Sequence, residues 1–270
     1  MMNPDPGTND NSRYFVQSLA KGLALLKIIS AAERPLSLTE IAEKLETNKA
    51  TATRFCYTLV KLGYLHRMDQ KLYDLTPQVL ELGYSAICRT DWHEMANYFL
   101  RELFRQVDET VSAAILVDTD ILYTIRIIKK KILDMDIQVG SRLPVHCTAM
   151  GKVLMAFGSP EKVQEVLGKL VFKKMNDKTI VSLQDFLKEL EQVRQTGYAI
   201  SDEEVAMGNR SIAAPLMGEG GYAFAAIAVA TPSESYTIAR LKKEVAPLLT
   251  TCAQKISAAM KQIRPKTGMA

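Results

Sequence analysis

SLTEIAEKLETNKATATRFCYTLVKLGYLHRMDQKLYD, residues 37–74, reads as helix, turn, helix and hairpin. Ser37 and Glu40 have the spacing of a capping box ahead of Ile41, Ala42 and Leu45. A second helix is expected from Asn48 to about Leu62, with Ala52, Phe55, Leu59 and Leu62 on one buried stripe. Gly63 ends it. Strand-like runs at 64–68 and 71–75 flank Asp69-Gln70, which turns the chain. This is the outline of a winged helix-turn-helix that reads DNA.

The side chains left off the buried stripe suit that task. Lys49, Thr51, Thr53, Arg54 and Tyr57 on the second helix, with Arg67 and Lys71 in the hairpin, are candidate DNA contacts. Arginine forks onto guanine, hydroxyls donate to phosphate, and lysine supplies charge. Between residues 48 and 71 the basic side chains are Lys49, Arg54, Lys61, Arg67 and Lys71, against Asp69 alone. The whole chain carries a formal charge of only +4, so its weak basicity is concentrated in this stretch. The competing reading is a small helical subdomain whose lysines are simply solvated.

Working outward, residues 16–31 predict a first helix capped by Ser18, with Leu19, Leu23, Leu26 and Ile29 as its core stripe. Arg13 and Tyr14 form either an arm beside the DNA or an unstructured lead-in. Residues 1–12 are polar, contain Pro4, Pro6 and Gly7, lack the apolar core of a signal peptide, and read as a disordered tail. Thr76-Pro77 opens a further helix to about Arg89, a linker between a 13–75 DNA-binding domain and a second domain over 92–265.

At 270 residues the chain has room for two medium domains. Its 47% apolar and 24% charged residues are those of an ordinary globular protein. No run of eighteen apolar residues occurs, so no membrane association is expected. Four cysteines, Cys56, Cys88, Cys147 and Cys252, are dispersed without a Cys-x-x-Cys, and the three histidines stand alone. No metal, cofactor or zinc site is expected, and reduced thiols suit a cytoplasmic protein. Cys56 reads as packing.

The second domain reads as α+β. Strands are expected at 111–117, 121–128, 132–139, 211–217 and 222–230, with helices at 92–107, 148–157, 159–167, 182–196 and 236–263. Their irregular order predicts an antiparallel sheet with flanking helices. Residues 140–144 read as a loop leading into the 148–157 helix, whose free N–H groups suit a carboxylate, with Arg142 as a possible source of charge. His146-Cys147 is the one tempting catalytic pair, but adjacent residues of an extended segment point apart, so no catalytic residue is assigned. Asp202-Glu203-Glu204 favours a solvated acidic loop over a metal or acid–base cluster.

The motifs VQSLAKGL (16–23), LGYL (62–65), LPVHCTAMGK (143–152), GYAISDEE (197–204) and SIAAP (211–215) occur in one order. In that order they resemble the IclR family of bacterial transcriptional regulators over nearly the whole chain. Met217 and Gly218 depart from the usual end of the last signature. The resemblance implies a winged helix-turn-helix domain, a linker helix and a GAF-like effector-binding domain. It also implies a homodimer or homotetramer on a roughly palindromic double-stranded operator.

Family effector contacts carry over to Ala149, Met150, Ser201, Ser211, Ala228 and Ala230; Arg142 and His146 on the preceding loop complete the expected set. Family members that bind small keto acids tend to have Asp, Cys and two Ser at the last four of those positions. Here Ser, Ser, Ala and Ala imply a less polar pocket and a small aromatic carboxylate. The segments at 138–144 and 209–213 resemble the subgroup controlling aromatic-acid (β-ketoadipate) catabolism. The alternative function is a metabolite-binding protein or enzyme whose helix-turn-helix makes protein contacts.

Overall fold

The structure, a computed structural model, describes residues 14–69, 71–88, 92–129, 137–218 and 220–262. The chain divides into two compact units at Ala86/Ile87.

In the N-terminal unit α1 (Gln17–Ser30), α2 (Leu38–Lys44) and α3 (Lys49–Lys61) enclose Leu25, Ile29, Ile41, Ala52, Cys56 and Leu59. The capping box is complete: Ser37 Oγ accepts the Glu40 N–H, and Glu40 accepts from the Ser37 N–H at 2.9 Å. Arg34 holds the Glu40 carboxyl down at about 2, with the Ser37 hydrogen bonds assisting. Ser37→Ala removes that cap and is expected to lower the unit's stability by about 1 kcal/mol, readable as a shifted urea midpoint. Asn48 caps α3 by accepting the Thr51 N–H at 2.8 Å. The hairpin of β2 (Leu65–Arg67) and β3 (Leu72–Leu75) follows, in the register Leu65↔Leu75 and Arg67↔Tyr73. The centre of its turn, Gln70, lies outside the described residues.

Four details differ from the sequence reading. Ser18 does not cap α1; Val16 occupies that position without a side-chain bond. The α1 stripe is rotated onto Leu25 and Ile29, because the helix packs on α2, α3 and β3 through its second half, leaving Leu19 and Leu23 exposed. On α3, Cys56 takes the buried place next to Leu59, and Leu62 is exposed at the turn that Gly63 makes with φ 81°. A third strand, β1 (Leu36–Ser37), also pairs with β3.

The helix α4 (Gln78–Cys88) starts where the Thr76 hydroxyl donates to the Gly63 carbonyl.

The C-terminal unit is built on a six-stranded antiparallel sheet. Its strands are β4 (Thr110–Val117), β5 (Asp120–Ile127), β6 (Arg142–Pro144), β7 (Ala199–Asp202), β8 (Asn209–Met217) and β9 (Ala223–Pro232), in the order β6-β5-β4-β9-β8-β7. Alternation along each strand divides the side chains between two faces. Val111, Ile125, Ile212, Ile227 and Val229 pack with α5 (Trp92–Val107) and the C-terminal helix, including Trp92, Leu100 and Leu249. The other face packs with α6 (Ala149–Phe157) and α8 (Leu183–Thr196) through Val153, Leu154, Phe186 and Leu190. A further helix, α7 (Pro160–Lys169), adds Val166 to that core.

Residues 140–144, expected as a loop, contain the edge strand β6, which pairs with β5. The strand expected at 132–139 lies mostly outside the described residues, and 137–139 are irregular. The final helix starts later than expected, at Ile238 behind the Thr237 cap. It runs through α9 (Ile238–Arg240), a π-turn (Leu241–Val245) and α10 (Ala246–Gln262).

The acidic run is not a solvated loop. Asp202 belongs to β7 and pairs with Arg210. Glu203 and Glu204 are buried: Glu203 meets Lys178 at 2.7 Å and Glu204 meets Lys152 at 2.5 Å. These cations are distant in sequence, so nothing local marked the run as interior.

Candidate functional site

Two places carry functional groups, one in each unit. In the N-terminal unit α3 buries Ala52, Cys56 and Leu59 and exposes Lys49, Thr53, Arg54, Tyr57 and Lys61; Thr51 is half-buried. Arg67 and Lys71 are exposed on the hairpin, Lys71 with φ 60°. Lys49, Arg54, Lys61, Arg67 and Lys71 have no acidic partner among the described residues, whereas paired cations are common in the C-terminal unit. Lys61 lies 5.7 Å from the Tyr57 ring. The Thr53 hydroxyl donates to Lys49 O at 2.7 Å, which leaves its oxygen as an acceptor. A groove between α1 and α3 brings Ser18 and Lys21 beside Thr51, Arg54 and Thr58, a placement that no local pattern in α1 marks.

In the C-terminal unit a cavity of about 460 Å³ opens on the α6 face of the sheet. Strand register explains who lines it. Thr110, Ala230 and Ser211 form one cross-strand row, and Ser112 and Ala228 lie in the next, opposite Arg126. The start of α6 adds Ala149 and Met150. Thr148 caps that helix: its hydroxyl accepts the Gly151 N–H at 3.1 Å and donates to Pro144 O at 3.0 Å.

Arg126 and Tyr123 are three residues apart and would face opposite sides of a regular strand. A β-bulge at Ala113/Ala114 pairs Ala113 with Ile125 but Ala114 with Tyr123, leaving Thr124 unopposed. Both side chains therefore line the cavity, with the guanidinium 5.8 Å from the Tyr123 ring. Burial pulls the Arg126 pKa below the ordinary guanidinium value and pushes the Tyr123 hydroxyl to about 12.

Of the residues expected at an effector, the structure brings Ala149, Met150, Ser211, Ala228 and Ala230 together around this cavity. Arg142, His146 and Ser201 are not among its lining residues. Arg142 pairs with Asp118 and Asp120, each at 3.2 Å. His146 is fully buried and its Nε2 donates to Lys173 O at 3.0 Å; burial lowers its pKa. The Ser201 hydroxyl donates to Cys147 O at 2.8 Å. Cys147 is buried and its thiol is pushed up to about 12, which removes the thiolate a nucleophile needs. Among the described residues no cluster of His, Cys, Asp or Glu could hold a metal, and no helix is long and apolar enough to cross a membrane.

Two family profiles match the chain: the IclR helix-turn-helix domain over residues 18–69, and the bacterial transcriptional regulator IclR C-terminal domain over 84–258. The chain belongs to the IclR family of bacterial transcriptional regulators. This IclR-family regulator is 32% identical over 243 residues to the Pca regulon regulatory protein of Pseudomonas putida, covering 90% of this chain and 83% of that one. It is 33% identical over 252 residues to the regulator KdgR of Escherichia coli, covering 93% and 95%. A crystal structure of a transcriptional regulator from Rhodococcus sp. RHA1 superposes with TM-score 0.80 at 34% identity, covering 93% and 100%. An IclR homologue from Microbacterium hydrocarbonoxydans, solved with 4-hydroxybenzoate, shares the fold with TM-score 0.78 at 21% identity, covering 90% and 99%. These relatives are transcription regulators, so the enzyme reading is set aside: the chain is a transcriptional regulator with a DNA-binding helix-turn-helix domain.

Proposed function

We propose that this IclR-family regulator works in the cytoplasm as a homodimer or homotetramer on a roughly palindromic operator. Lys49, Thr51, Thr53, Arg54, Tyr57, Arg67 and Lys71 supply the contacts, and a small aromatic carboxylate held in the C-terminal cavity is the effector. The exposed, unpaired basic face of α3 carries the DNA part of this reading. A lining that is about half apolar, with Ala228 and Ala230 where hydroxyls would favour keto acids, supports the effector part. So do the Pca-regulon relative and the 4-hydroxybenzoate-bound homologue. Effector affinity must differ between two arrangements of the readers by about 1–3 kcal/mol to switch them.

Fluorescence polarisation on the intergenic DNA upstream of the gene, titrated with salt and with aromatic and keto acids, tests the reading. Affinity should fall steeply with salt and change with an aromatic acid. Arg54→Ala should weaken operator binding by about 1–3 kcal/mol and relax base preference, whereas Lys71→Ala should weaken all sequences alike and reduce the salt slope by about 1. Salt-independent binding, or an Arg54→Ala variant with unchanged affinity, would contradict the assignment of this face.

A further inference from the structure

Arg126 is a cation whose hydrogen bonds are incomplete. A guanidinium has five N–H donors. Here Nη1 lies 3.5 Å from Ser112 Oγ, at the limit of a hydrogen bond, and Nε is buried with no partner among the described residues. No carboxylate lies within ion-pair distance of it among those residues. Glu109, the acidic side chain lining the cavity, is engaged by Lys129 at 3.2 Å. Other half-buried or buried cations of the same unit are matched: Lys152 with Glu204 and Glu189, Arg210 with Asp202 and Glu203. An interior donor left unmade destabilises the fold, more so when the group is charged, so such a group is retained against a penalty.

We propose that Arg126, backed by Ser112 and by the face of Tyr123, is the carboxylate anchor of the cavity, and that it selects acids with one carboxylate and an apolar, ring-sized body. The inference rests on the effector reading above and adds the residue and the charge state. A carboxylate in the cavity meets the Arg126 guanidinium, whose neighbouring N–H groups form the two-pronged fork that a carboxylate accepts. Arg126 is the one basic side chain among the described lining residues, so one carboxylate is neutralised and a second would be stranded. The Tyr123 ring faces the guanidinium at 5.8 Å, and Leu143, Met150 and Ala228 offer an apolar wall to the body of the acid.

The test uses the full chain, with binding read by calorimetry and unfolding read by the fluorescence of its single tryptophan, Trp92, which is buried in the C-terminal unit. Benzoate and 4-hydroxybenzoate are compared with their uncharged amides, and phthalate serves as the dicarboxylate. The acids should raise the melting temperature of the wild type; the amides and phthalate should not. Arg126→Gln should weaken acid binding by roughly thirtyfold or more. Arg126→Met should abolish the shift while melting, without ligand, at or above the wild-type temperature, because an unmatched interior charge has gone. Arg142→Gln, outside the cavity, should keep the shift. Acids bound equally by Arg126→Gln would overturn the anchor and leave the effector class standing. Ligand-free Arg126→Met melting well below the wild type would make Arg126 a structural residue and also overturn the anchor. Acids that fail to shift the wild type would instead overturn the effector class, and the anchor with it.

Discussion

Lys152→Ala is expected to lower the stability of the C-terminal unit by about 3–5 kcal/mol. Lys152 sits in α6 and is 1% exposed. Its ammonium has three donors and meets three acceptors: Glu204 Oε1 at 2.5 Å, Glu189 Oε1 at 3.1 Å and Ile200 O at 3.1 Å. Those acceptors come from α8, β7 and the segment after β7, so one side chain ties α6 to three neighbours. Truncation leaves Glu204 buried without its counter-charge, and one of its oxygens already lacks a partner among the described residues. Lys152→Met fills the space but strands the same carboxylate. The double variant Lys152→Met/Glu204→Gln removes both charges and should recover most of the loss. Urea unfolding followed by Trp92 fluorescence reads the effect; a loss under 1 kcal/mol would show that the cluster does not hold the unit together.

The pH dependence has a definite sign. Burial raises the Glu204 pKa above its ordinary value even with Lys152 present. An acid whose folded pKa is raised favours the fold below its unfolded pKa and loses that contribution as pH rises through the folded value. Without Lys152 the pKa rises further. The deficit of Lys152→Ala should therefore be greatest near neutral pH and shrink as pH falls toward the ordinary glutamate range. A deficit constant from pH 7 to pH 5 would mean that Glu204 is not the group left exposed to the penalty.

Gly151→Ala, one residue earlier, is expected to destabilise the unit by about 3 kcal/mol or more. A Cβ there would sit 2.3 Å from Val145 O, 2.4 Å from Val145 Cα and 2.6 Å from Thr148 Oγ1. Two of the three are main-chain atoms, so no side-chain rotation makes room. Alanine's better helix propensity returns only about 1 kcal/mol. Gly168→Ala in α7 is the internal control, because nothing lies within 4 Å of its Cβ position. It should be neutral or stabilise by up to about 1 kcal/mol. Trp92 melting curves shifted in opposite directions by the two alanines would establish close approach of the 144–148 segment as the cause.

The N-terminal unit was legible because its signals are local. The Ser37/Glu40 box, the helix opening at Asn48 and the Gly63 stop all act within a few residues of themselves, and the structure shows each of them. The two-residue strand at Leu36 was not legible, since it is defined only by its partner Tyr73. In the C-terminal unit the strands were visible as β-branched runs, but the fate of charged residues was not. Glu203 and Glu204 looked solvated because Lys178 and Lys152 approach them only through the fold. Arg142 looked like the charge at the α6 entrance, yet Asp118 and Asp120 across the strand pair engage it. Arg126 drew no attention inside an apolar strand, because its direction depends on a pairing irregularity with no local sequence mark.

That irregularity makes the charge of the cavity a matter of counting along the chain. Thr124 is the one residue of β5 with no opposite number on β4. In a regular ladder Arg126 and Tyr123 would part to opposite sides, one toward the pocket and the other toward the α5 core. Homologues can thus keep every wall residue and still differ in what they accept, through a single-codon insertion between Ala113 and Ala114 that gives Thr124 an opposite number; deleting Thr124 instead would leave Tyr123 and Arg126 two apart and on one face. Among relatives, whether the residue between this tyrosine and Ile125 has an opposite number on β4 is accordingly a more telling character for sorting acid-responsive members than the identity of either cavity residue.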